Sequence, residues 1–258
     1  MSKFIDKMKQ LSEGIPQPIG FRRTGADTKK PKLQLLASIQ GKASSALTAS
    51  LDTVDAGLIR PGEGVAVTGT VKKLSDTVAA PWGVRIKGEE DNDFASLIEA
   101  GADFIVFPST APLAGLLSKS VGRVIEVGVA AGDTMLRTLG DAPVDAVIIT
   151  RDKPEDTMVT WEDLMAYRRI TGIVKKPVIA PVPSVITREE LQELWESGID
   201  AVIVEVSGSG GPETLKRLRE NIDQLEYPKA KQNEKGLAIA PRVQFPSRQE
   251  HEEEEEEE

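Results

Sequence analysis

Four stretches of the chain repeat one order of residues: a small or β-branched residue or a proline, one more residue, then aspartate, then an apolar run. They are Thr53-Val-Asp55-Ala-Gly-Leu-Ile59, Gly101-Ala-Asp103-Phe-Ile-Val-Phe107, Pro143-Val-Asp145-Ala-Val-Ile-Ile149 and Gly198-Ile-Asp200-Ala-Val-Ile-Val204. The aspartates stand 48, 42 and 55 residues apart, a spacing of about two strand–helix units. Between them fall four further apolar runs, Leu33–Ile39, Trp82–Ile86, Val124–Val127 and Pro177–Val182. Runs this short, rich in Val and Ile, predict eight strands.

The gaps carry helical spacing. Phe94, Leu97 and Ile98 recur at i, i+3, i+4, as do Leu113, Leu116 and Leu117, and Leu191, Leu194 and Trp195. Leu215, Leu218, Ile222 and Leu225 form the last apolar stripe, and Val71–Val78 supplies the second helix. Thr187 with Glu190 predicts a capping box at the start of the seventh helix, and Pro212 suits the first turn of the eighth. Strands alternating with helices pair in parallel through right-handed crossovers, and eight such units close on themselves. The predicted fold is an α/β (β/α)₈ barrel over residues 33–225. Residues 1–32 precede it, with a short helix near Lys3–Leu11 placed to cover the N-terminal mouth; residues 226–258 follow it, ending in a tail expected to be disordered.

Composition narrows the chemistry. The 258 residues are 40% hydrophobic but only 4% aromatic, so the core is built of Ala, Val, Ile and Leu. No apolar run reaches ~18 residues, which excludes a spanning helix. The opening residues Met1–Gly14 lack the apolar stretch of a signal peptide, and a cytoplasmic location is expected. Cysteine is absent and the one histidine is His251, which excludes disulfides, thiolate metal sites, a cysteine nucleophile and a histidine triad. Glu250 and Glu252 to Glu258 account for eight of the negative charges behind the formal −9, leaving the rest close to neutral. Nothing in this balance suggests nucleic acid or a membrane as partner, while homo-oligomerisation stays open.

The repeated strand starts, together with the glycine-rich turn Ser207-Gly-Ser-Gly-Gly211 after strand 8, resemble the aldolase-type and phosphate-binding TIM barrels. The likeness is architectural and covers about residues 33–225. It implies an active site at the C-terminal mouth and a phosphate held by Ser207, Gly208, Ser209, Gly210 and Gly211. The chain departs from those families at loop 7, Pro181-Val-Pro-Ser184, which has no glycine pair. It departs again at strand 6, which ends Ile149-Thr150 without a lysine.

In such a barrel, outward strand residues lie under helices, so a charge inside a strand must point inward or be paired. Arg85 and Lys87 share one face of strand 3, Glu126 lies in strand 5 and Glu205 in strand 8. All four are expected inside the mouth, with Lys87, Glu126 and Glu205 as candidate catalytic groups. Lys87 would serve as amine nucleophile or proton carrier and the glutamates as general acid and base. Arg85, Gln34, Ser38 and Thr150 are the candidate substrate-binding residues, with Arg60, Ser109, Thr110, Arg151 and Asp152 as further mouth-lining positions. The competing reading is an ion-paired interior layer without catalysis. Trp82, Trp161 and Trp195 are expected to pack.

These residues point to a metal-independent lyase or isomerase acting on a small anionic metabolite, phosphorylated or carboxylated, with no cofactor. Two alternatives stand beside it: a flavin-binding oxidoreductase barrel, and a non-catalytic binding or scaffold barrel.

Overall fold

Eight parallel strands pair in chain order and close, β1 lying against both β2 and β8. The computed structural model describes residues 2–12, 32–41, 51–62, 67–88, 94–117, 120–154, 156–206 and 210–227, all within one unit, Met1–Tyr227. The strands are β1 Gln34–Gln40, β2 Ala56–Arg60, β3 Trp82–Arg85, β4 Phe104–Phe107, β5 Gly122–Gly128, β6 Ala146–Thr150, β7 Val178–Val182 and β8 Ala201–Glu205. Seven α-helices are described: α1 Lys3–Ser12, α2 Val67–Thr77, α3 Phe94–Glu99, α4 Asp133–Asp141, α5 Trp161–Val174, α6 Arg188–Glu196 and α7 Gly211–Asp223. Each expected strand is present. Thr187 and Glu190 form the capping box of α6, and Pro212 sits in the first turn of α7.

Two expectations are corrected. Leu113–Leu117 is not an α-helix; it holds only a 3₁₀ turn, Ala114–Leu116, with Leu113 and Leu117 exposed. Five residues of matching spacing fall short of what a helix needs to propagate. Trp161 does not pack: it opens α5 with 78% of its surface exposed, whereas Trp82 is buried.

The period-2 alternation of the strands divides the apolar residues into two cores. Residues facing out, such as Leu35, Val84, Ile105, Ile149 and Val202, pack under the helices. Residues facing in, such as Leu36, Leu58, Phe104, Val124, Ile179 and Ile203, fill the barrel, and helix α1 completes this inner core with Phe4, Ile5 and Met8. The Phe4 ring rests on Phe104 at 5.0 Å between centroids, tilted 37°.

The four repeated aspartates explain both the repeat and the plug. Asp55, Asp145 and Asp200 stand just before β2, β6 and β8, and each accepts a backbone N–H from the start of the strand before: Leu35 at 2.9 Å, Arg123 at 3.1 Å and Val178 at 2.9 Å. Asp103 takes another partner. It accepts from Ser2 Oγ at 2.6 Å, from Lys3 N at 2.8 Å and from Phe4 N at 3.1 Å, so a carboxylate from β4 answers the open N–H groups of α1. Lys7 and Lys9 of the same helix pair with Asp55 at 2.6 Å and Asp145 at 2.9 Å. In two repeats the preceding glycine ends a helix with positive φ, Gly101 at 96° and Gly198 at 95°, a backbone that L side chains resist.

These contacts set an acid limit. Burial by itself would raise the pKa of Asp55, but Lys7, the Leu35 N–H and Arg219 hold it below the ordinary 3.8. Burial likewise opposes Lys9 and Arg123 at Asp145, and the net direction is again downward. A carboxylate whose folded pKa is depressed contributes stability above its unfolded pKa and loses it as pH falls through the folded value. Urea denaturation is therefore expected to show stability level above about pH 5 and falling steeply below about pH 4. The double variant Asp55→Asn, Asp145→Asn should be weaker at pH 6 and lose less between pH 6 and pH 3. Equal losses in the two proteins would mean that these ion pairs do not set the limit.

Candidate functional site

The inward residues change character from floor to mouth. Above the apolar layer of Leu36, Phe104 and Val124, the last inward side chains of β2, β3, β5, β6 and β8 are Arg60, Arg85, Glu126, Thr150 and Glu205. The first four of these line a cavity of about 80 Å³ at the C-terminal end of the strands. One water needs roughly 10–15 Å³ by the same measure, so the cavity has room for a ligand of a few heavy atoms. Its cationic lining is Arg60, Arg85, Arg151 and Lys153; Glu126 supplies the carboxylate, and Ser38 and Thr150 supply hydroxyls.

Arg85 Nε donates to Glu126 Oε1 at 2.6 Å. Register explains the reach: Arg85 is level with Val106 and Val106 with Val124, so Glu126 stands two residues nearer the mouth. The long guanidinium arm climbs past β4 to meet it. Arg60 makes the equivalent bridge across β1, from β2 to Glu205 on β8.

Beyond β6, Arg151 turns back into the wall of the cavity with a side chain only 2% exposed, and Nη1 donates to Thr157 O at 3.0 Å. Behind it lie Asp163 and Tyr167, both buried. The Tyr167 hydroxyl is pushed up to about 12, mainly by burial, and so stays neutral. Its Oη has no hydrogen-bond partner among the described residues. Asp163 is held below the usual carboxylate value: burial opposes the shift, and bonds from Thr160 with the charges of Lys153 and Arg151 produce it.

The structure thus brings Arg85, Glu126, Ser38 and Thr150 together around one cavity. Glu205 stands at its edge on Arg60. Lys87 lies two residues past the end of β3, is exposed, and does not line the cavity. Gln34 sits at the start of β1, buried, far from the mouth, with Oε1 unpartnered among the described residues. Ser207, Gly208 and Ser209 fall outside the described residues. Gly210 and Gly211 line a second cavity of about 410 Å³, whose wall also carries Ser184 and the carboxylates of Asp156 and Glu205.

Arg151 and Lys153 carry more of the site than their place in the sequence suggested. Both follow a strand, where charge is ordinary, and only the turn of the β6–α5 loop aims them inward. The signal that was available is the pair Thr160 and Asp163, a capping box that fixes where α5 begins and hence how tightly the loop must bend. Among the described residues no group of three or more His, Cys, Asp or Glu is placed to hold a metal ion, and no helix is long and apolar enough to cross a membrane.

A closed eight-stranded parallel barrel, with strands alternating with helices and a polar cavity at the strands' C-terminal ends, is a (β/α)₈ barrel. Among solved structures the chain is similar to the tryptophan synthase alpha-subunit of the hyperthermophile Pyrococcus furiosus. Three mutant forms of that protein match at 14–15% identity with TM-scores of 0.59–0.60, covering 76% of this chain and 98% of theirs. At that identity the likeness is one of fold. Neither a protein-family model nor a curated protein sequence matches the chain.

Proposed function

We infer that the mouth cavity binds a small anionic metabolite and that Glu126 moves a proton on it, the chemistry of a lyase or isomerase working without a metal. The observation that carries this reading is the Arg85–Glu126 pair, 2.6 Å apart inside a cavity whose other charged lining is cationic. Arg85 holds the carboxylate in one orientation through Oε1, which leaves Oε2 for a substrate proton. Arg151 and Lys153 supply the charge that attracts an anion, and the Ser38 and Thr150 hydroxyls supply short-range hydrogen bonds. A proton on the carbon next to the anionic group is the natural target, because nearby cations stabilise the negative charge that develops when it leaves. Lys87, being exposed outside the cavity, has no part in this scheme.

A panel of small carboxylates and phosphate esters, screened by thermal shift and then by native mass spectrometry, should yield a ligand that saturates. Arg151→Met should abolish its binding. With that ligand in D₂O, the wild-type chain should exchange the proton beside the anionic group. Glu126→Gln should still bind it and slow the exchange by about 10²–10⁴-fold. If no anion binds, or if Glu126→Gln exchanges at the wild-type rate, the charges form an ion-paired layer and the catalytic reading fails.

A further inference from the structure

In an eight-stranded barrel the inward side chains stack in layers, each drawn from alternate strands. The even strands β2, β4, β6 and β8 give one layer of Leu58, Val106, Ile148 and Ile203, all apolar. The odd strands give the next layer toward the mouth, Ser38, Arg85, Glu126 and Pro181. The register fixes this stacking, because each of these four is level with the apolar residue of the following strand: Ser38 with Leu58, Arg85 with Val106, Glu126 with Ile148 and Pro181 with Ile203. The mouth cavity reaches through the upper layer into the lower one, where Leu58, Ile148 and Ile203 line it and Val106 does not. Exposure agrees: Ile148 and Ile203 each keep 7% of their surface accessible, whereas no other residue described in the inner core exceeds 2%.

The cavity therefore has two ends of different chemistry. At its base the side chains of Leu58, Ile148 and Ile203 offer no hydrogen bond, and Pro181 continues that apolar surface up one wall, where the other odd strands carry polar groups. A charged group lowered onto this base would lose its hydration with nothing in return. An alkyl group placed there gains about fourfold in affinity per methylene. Volume sets the length. At roughly 10–15 Å³ for each water-sized group, 80 Å³ admits roughly five to eight of them. The head of a phosphate monoester would take up most of that space, whereas a carboxylate head leaves room for roughly two to five carbons more.

We propose that the ligand is a monocarboxylate of roughly three to six carbons with an alkyl end, its head at the polar mouth and its chain seated on Leu58, Ile148 and Ile203, and that Ile148 and Ile203 set the chain length accepted. This rests on the reading that the cavity binds a small anion, and it names the class of that anion. Ile148 stands level with Glu126 on the adjacent strand. A chain seated on it keeps the ligand beside the carboxylate assigned to proton transfer.

The test titrates the full chain, labelled at its isoleucine methyls for NMR, with straight-chain carboxylates from acetate to heptanoate, with succinate and with sulfate. The Ile148 and Ile203 methyls are expected to shift, and Kd to fall about fourfold per carbon from acetate to pentanoate and to rise again by heptanoate. Succinate is butanoate with its terminal methyl turned into a carboxylate, and it is expected to bind about tenfold more weakly than butanoate. Ile203→Ala deepens the base and should move the optimum about two carbons longer. Ile203→Val removes a single methyl and should lower the hexanoate-to-butanoate ratio of Kd; it carries the test should Ile203→Ala fail to fold. Val106→Ala, in the same layer but outside the cavity lining, should leave the series as it is. A Kd that ignores chain length, succinate as tight as butanoate, an unchanged series in Ile203→Val, or an equal change in Val106→Ala overturns the apolar seat, and binding of sulfate or acetate then keeps the anion site standing. If neither sulfate nor any carboxylate binds, both readings fall.

Discussion

Phe4→Ala is expected to lower the unfolding free energy by about 3–5 kcal/mol. The ring is fully buried against Phe104 inside the barrel, and the surrounding strands are locked in a closed ladder that cannot collapse onto the space left behind. The helix that carries Phe4 has ten residues, too few to be stable alone in water. Its order depends on Phe4, Ile5 and Met8 below and on Asp103 at its N-terminus. Weakening one anchor therefore weakens the others, and amide exchange at Ile5 and Met8 should quicken along with the loss of global stability. Denaturant titration measures the first effect and hydrogen exchange the second. A loss below about 1 kcal/mol would make the plug peripheral to the fold.

Gly83→Ala is expected to be as damaging by the opposite route. Gly83 is an inward residue of β3 that pairs with Phe104 of β4, and an added Cβ would stand no more than 2.5 Å from Cε2, Cδ2 and Cζ of the Phe104 ring. That ring is pinned between the sheet and Phe4 and has nowhere to turn. Overpacking of this kind costs about 3 kcal/mol. The double variant Gly83→Ala, Phe104→Leu should recover part of it, since leucine withdraws the atoms that collide. The coupling energy of the cycle, at least about 1 kcal/mol in the compensating direction, is the quantity to measure. Additive losses would show that the strain lies elsewhere.

Most of the architecture could be read from the chain because barrel strands obey a short period and are marked at their starts. The aspartates of the four repeats bond the same kind of partner, or in Asp103 a substitute for it, and that is why they recur. The helix expected at Leu113–Leu117 and the packing expected of Trp161 failed for a common reason. Both were judged from apolar identity at a few positions, and exposure is decided by which neighbouring element arrives to cover them. The site was legible in part. Arg85 and Glu126 betray themselves as charges within strands, where only an inward direction is affordable. Lys87 continued the same alternation on paper, but β3 ends at Arg85, and past the last paired residue alternation no longer says where a side chain points. Arg151 was expected only as one of several polar residues at the mouth, and Lys153 and Asp163 were the least visible. Their roles come from the bend of a loop and the burial of a cap, which depend on the assembled barrel.

The floor helix also constrains the order of assembly. Its three polar anchors, Asp55, Asp103 and Asp145, come from just before β2, β4 and β6, spread over half the circumference. A sheet that has not yet reached β6 lacks one of these anchors, so α1 can complete its docking only once β2 to β6 are in place. This helix precedes every strand in sequence yet settles only after β6 has paired, and a fluorophore on it would time that step.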